Sequence, residues 1–93
     1  MMFLSRIEIN IYRKETRKAL DSPQIMHAAI MASFPSFEQN ENQRVLWRID
    51  RLGSSTYVLI QSKIKPSLSH MIDQFGWPES GQKWETLDYD PFL

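Results

Sequence analysis

The stretch RVLWRIDRLGSSTYVLIQS, residues 44–62, decides the fold. Val45, Trp47 and Ile49 alternate with Arg44, Leu46, Arg48 and Asp50. A period of two places the first set on one face of a strand and the second on the other. RLGSS (51–55) is turn chemistry, with Gly53 free to take positive φ. TYVLIQS (56–62) is the partner strand. Residues 44–62 therefore predict a β-hairpin.

Upstream of the hairpin, FLSRIEIN (3–10) alternates in the same way. Phe3, Ser5, Ile7 and Ile9 point to one side, and Leu4, Arg6, Glu8 and Asn10 to the other, as in a half-buried strand. IYRKETRKALD (11–21) is charged and reads as a loop or a short helical turn. Ser22 then reads as an N-cap with Pro23 at the first helical position. The helix runs to about Ser33 and stops before Pro35. At about 100° per residue, Ile25, Met26, Ala29, Ile30 and Phe34 share one apolar arc. His27 sits just past its edge, a rim position. FPSFEQNENQ (34–43) is a polar loop.

Downstream, Pro66 and Ser67 open a second helix with Ser67 as its cap. Leu68, Met71, Ile72 and Phe75 fall at i, i+3, i+4 and i+7. Gly76 is expected to supply a left-handed C-terminal residue, and Pro78 prevents continuation. WETLDYD (84–90) is a weak candidate for a last strand. Strand, helix, strand, strand, helix predicts an α+β, ferredoxin-like (RRM-like) βαββαβ domain over residues 1–93. Its last strand is expected to be missing or poorly formed. An unpaired strand edge would then favour a homodimer.

The chain has 93 residues, enough for one small domain. Its 11 basic and 11 acidic residues cancel, so bulk charge does not announce a nucleic-acid binder. The distribution is uneven. Residues 1–72 hold ten Lys/Arg against six Asp/Glu, a net of +4, and residues 73–93 hold one against five, a net of −4. A basic body can bind a polyanion locally despite overall neutrality. No cysteine is present, which excludes disulfides, thiolate catalysis and cysteine-based zinc sites. His27 and His70, 43 positions apart, lack the spacing of a local metal motif. No metal or cofactor is expected. No apolar run suits a signal peptide or a bilayer span, so no membrane partner is expected and the expected location is cytoplasmic.

FLSRIEIN, YRKETRKAL, SPQIMHAAIMASFP, RVLWRID, TYVLIQS, FGWPE and DYDPFL, in that order, resemble the CasE family. These are the CRISPR-associated endoribonucleases of the type I-E Cascade complex. The resemblance implies two ferredoxin-like domains in tandem, of which this chain is the N-terminal one, with the second domain absent. It implies metal-independent cutting of precursor CRISPR RNA at a repeat hairpin, after which the enzyme stays bound as a Cascade subunit. Its partners would be CRISPR repeat RNA and the other Cascade subunits. The family's catalytic histidine falls at His27. Gln24 stands where some members carry a catalytic tyrosine. Members usually continue past DYDPFL into an FRLxANP-type strand, which this sequence lacks.

Metal-free RNA cleavage uses the ribose 2′-hydroxyl as nucleophile and needs proton transfer on both sides of the phosphorus. Histidine suits either proton role. Arg13, Lys14, Arg17 and Lys18, just before the helix, are candidates for RNA phosphate contact; a solvated surface is their structural alternative. Arg6 and Arg48 belong to the strand faces opposite the apolar series. Trp47, Tyr57, Trp77 and Trp84 are candidates for base stacking, with Trp47 expected in the core. His70, beside the second helix's apolar stripe, reads as structural. The alternatives to an enzyme are a non-catalytic RNA-binding or assembly module, and a protein-interaction domain pairing through a sheet edge.

Overall fold

A computed structural model describes residues 2–34 and 45–89. Its elements are β1 (Met2–Ile9), α1 (Lys14–Asp21), α2 (Pro23–Met31), β2 (Leu46–Leu52), β3 (Ser55–Ser62), α3 (Ser69–Phe75), a 3₁₀ turn (Pro78–Ser80) and β4 (Glu85–Tyr89). The sheet order is β2-β3-β1-β4, and every neighbouring pair is antiparallel. This is the ferredoxin-like arrangement that the pattern predicted.

The hairpin forms as read. Leu52 pairs with Ser55, leaving Gly53 and Ser54 as the loop. Gly53 takes φ 62°, which tight hairpin turns demand at the first loop position.

The last strand requires a correction. β4 pairs with β1 from Met2↔Tyr89 to Arg6↔Glu85, so the sheet has its fourth strand. β1 is thereby covered on both sides, and the homodimer loses the missing-strand edge on which it rested. The alternation of β4 hid it. Leu87 is 63% exposed, while Ser5 and Thr86 join their hydroxyls at 3.1 Å on the opposite face.

Segment 11–21 resolves into helix α1, which buries only Thr16 and Ala19. Helices α1 and α2 are separated at Ser22, which is extended at φ −131° and ψ 101°. Pro23 accounts for the break, because its ring disfavours the helical region for the residue before it. Ser22 holds the N-cap position of α2 without a side-chain capping bond. Its carbonyl accepts from the Ile25 and Met26 amides instead.

One core joins the sheet to the helices. Ile7, Ile9, Val58 and Ile60 meet Ala19, Met26, Ala29, Ile30 and Phe34, and the α3 residues Leu68, Met71, Ile72 and Phe75. Each fully buried aliphatic or aromatic side chain contributes about 1.5–3 kcal/mol. Ile25 departs from its predicted arc and is 44% exposed. Of the predicted loop, Phe34 is buried, and positions 35–43 lie outside the described residues.

Two expectations for α3 are corrected. Its N-cap is Leu68, not Ser67, because the Ser67 amide is drawn to the Ser33 carbonyl at 2.8 Å. Gly76 is not left-handed; it sits at φ −106°. A Cβ there would displace Gln82 Oε1 from the Trp77 amide and crowd the Ile72 backbone at 3.1 Å.

Candidate functional site

His27 lies on the outer flank of α2, exposed, one step from the buried Met26. A rim position gives a rigid backbone and an imidazole open to solvent. No hydrogen bond or ion pair ties it to any described residue. Gln24 is also exposed on α2, and the i, i+3 spacing makes it the neighbour of His27 one turn earlier. Gln24 offers an amide there and no titratable proton.

The four cations divide. Lys14, Arg17 and Lys18 are exposed on α1, away from the buried Thr16 and Ala19. None forms an ion pair among the described residues. Arg17 donates from its guanidinium to the Tyr12 carbonyl at 3.1 Å, which occupies one of its five N–H donors. Arg13 is half-buried and donates to the Gly76 carbonyl at 3.0 Å. It joins the start of α1 to the end of α3. The bend at Ser22 separates these cations from His27, and no described bond bridges it.

The structure gives His70 a mechanical role. Its Nε2 bonds the Ala29 carbonyl at 2.9 Å, fastening the start of α3 to α2. The same carbonyl accepts from Ser33 Oγ at 3.2 Å. The structural reading of His70 stands on this contact.

Arg6 and Arg48 do occupy the open sheet face, but both have partners. Arg6 donates to Glu85 at 2.8 Å and lies 4.8 Å over the Tyr57 ring. Arg48 is 3.5 Å from Asp50. The ring face of Tyr57 is thereby taken by Arg6. Leu4, Leu46, Leu59 and Gln61 line a shallow depression of about 400 Å³ on this face. Trp47 and Trp84 pack against the core, which leaves Trp77, 36% exposed, as the open aromatic of the four.

Sequence reasoning missed the role of Gln82. Its amide accepts from the Trp77 backbone N–H at 2.7 Å and donates to the Glu8 carbonyl at 2.8 Å. The signal in the sequence was Gly76, whose missing side chain admits it. Thr16 was missed as well. It is fully buried and donates to the Phe75 carbonyl at 3.1 Å.

A family model described as "CRISPR associated protein" matches residues 2–93. The chain belongs to that family. Its fold is similar to that of the CRISPR endoribonuclease Cse3 bound to 19 nt RNA, with TM-score 0.74 and 21% identity over 100% of this chain and 46% of that one. It is similar too to Thermus thermophilus Cse3 bound to an RNA representing a pre-cleavage complex, with TM-score 0.73 and 21% identity over 99% and 44%. The CRISPR-associated chain thus spans less than half the length of these solved structures. No curated protein matches it. The CasE resemblance read from the sequence agrees with both the family and the fold. Among the described residues no helix is long and apolar enough to cross a membrane.

Proposed function

We propose that this chain is the N-terminal domain of a CRISPR repeat-RNA-processing endoribonuclease, with His27 as its proton-transfer group. Membership of the CRISPR-associated family supports the RNA substrate. The observation that carries the proposal is the setting of His27. It is an exposed imidazole, bonded to no described residue, on the helix that follows Lys14, Arg17 and Lys18, which form no ion pair with a described acid.

In this reading the 2′-oxygen attacks the adjacent phosphorus, the P–O5′ bond breaks, and the products are a 2′,3′-cyclic phosphate and a 5′-hydroxyl. His27 acts as general base toward the 2′-hydroxyl or as general acid toward the leaving oxygen. Lysine and arginine on α1 attract the phosphates and offset the charge of the phosphorane. No step is assigned to a metal. Gln24 can orient an oxygen by hydrogen bonding but cannot exchange a proton at neutral pH. The RNA partner and the other Cascade subunits follow from the same reading.

Incubation with repeat RNA in EDTA tests it. Cyclic-phosphate product that vanishes in His27→Ala is expected. Salt-sensitive binding with no cleavage in either protein refutes the catalytic role and favours a binding or assembly module, the reading to which Gln24 itself lends weight.

A further inference from the structure

At the end of the domain where β1 runs into α1, a groove of about 440 Å³ is lined by Asn10, Arg13, Trp77, Glu79 and Ser80. The segment after α3 that forms one wall is held from several sides. Arg13 bonds the Gly76 carbonyl, Gln82 bonds the Trp77 amide, and Ser80 Oγ donates to the Trp77 carbonyl at 2.8 Å. Gly81 turns the chain at φ 72°, where glycine adopts the left-handed conformation without strain. The outcome is a Trp backbone fixed on both sides in a residue that stays 36% exposed. A rigid support under an open indole is the form of a stacking platform. Next to it, Tyr12 is 82% exposed at the start of the α1 cation stripe.

We propose that this groove binds one unstacked nucleobase of single-stranded RNA on Trp77, with the adjoining phosphates running over Lys14, Arg17 and Lys18. The proposal rests on the reading of the chain as an RNA-binding domain and adds a second contact to it. Charge decides what enters. Glu79 and Arg13 both line the groove and offset each other there, so a neutral base fits it, with donors for the carboxylate and acceptors for the guanidinium. The α1 stripe, free of ion pairs with described acids, is where the phosphates are favoured. From Arg13 to Ser22 the chain of α1 rises roughly 13 Å. Arg13, in the groove lining, therefore stands at the opposite end of α1 from the Ser22 bend that opens α2. It would fix the register of the strand and take no part in the chemistry.

The probe is a short, mixed-sequence 2′-O-methyl oligonucleotide, labelled for anisotropy at low salt. It has no free 2′-hydroxyl, so cleavage by His27 does not enter the readout. A single abasic residue is moved through it. One position is expected to weaken binding about tenfold, and Trp77→Ala should weaken the intact oligonucleotide about as much while flattening the scan. Trp77→Phe should keep the scan and lose the quench of tryptophan emission that stacking causes in the wild type. That variant serves if Trp77→Ala does not fold. Binding with a flat scan in the wild type overturns the base site and leaves the RNA reading intact. Absence of any binding overturns both. Emission that answers to a proline-rich peptide and not to the oligonucleotide overturns the site in favour of a protein ligand.

Discussion

The helix layer and the open sheet face both carry basic side chains, yet they treat them in opposite ways. On the sheet, Arg6 is held by Glu85 and Tyr57, and Arg48 by Asp50. On α1, Lys14, Arg17 and Lys18 form no ion pair with a described acid, although Glu15 and Asp21 share the helix. Paired charges are already satisfied and gain little from a phosphate, whereas uncompensated ones gain its attraction without losing a partner. A polyanion should therefore prefer α1, although both surfaces hold the same residue types. The difference follows from register. Antiparallel pairing sets Arg6 opposite Glu85, while the exposed acids of α1, Glu15 and Asp21, form no ion pair with its cations.

The largest effect expected is on chemistry. His27→Ala should lower repeat-RNA cleavage by roughly 10²–10⁴ with RNA affinity unchanged, as read by single-turnover assay and anisotropy. Equal loss in both would make His27 a binding residue and merge it with the α1 surface.

Next comes the charge contrast itself. Neutralising Lys14, Arg17 and Lys18 together should reduce the slope of log K against log salt by about 0.7 for each phosphate that no longer meets a cation. Replacing Arg6 and Arg48 should leave that slope alone. The reverse result would move the RNA to the sheet face.

The two histidines give a smaller and complementary test. His70→Ala removes the bond to the Ala29 carbonyl and should lower stability by about 1 kcal/mol, measured in urea, with the cleavage rate unaltered. His27→Ala should leave the urea midpoint in place. The smallest effect belongs to the sheet pair. Arg6 and Glu85 are 41% and 66% exposed in their side chains, so breaking their bridge should shift stability by at most about 1 kcal/mol, and less as salt rises.

The periodic elements were legible because burial on one face writes a period into the sequence. β1, the β2–β3 hairpin and the α3 stripe all show it. Helix α1 did not, since its buried side holds Thr16 and Ala19 where larger apolar residues would signal a face. Thr16 can be buried only because the Phe75 carbonyl receives its hydroxyl, a partner 59 positions away. β4 was faint for a related reason. Its core-side Thr86 is polar and its outward Leu87 apolar, and only pairing with β1 makes a strand of it. His27 as a rim residue was legible from helical angle alone, while its freedom from bonding partners was not.

By itself the sequence determined the order of elements, the apolar faces and the outward position of His27, because these depend on spacing along the chain. The tertiary structure alone decided which cations are paired, which tryptophan stays open and that the bare Gly76 admits the Gln82 amide. Those outcomes depend on what distant segments bring alongside, and no local period encodes a neighbour that arrives from the other end of the chain.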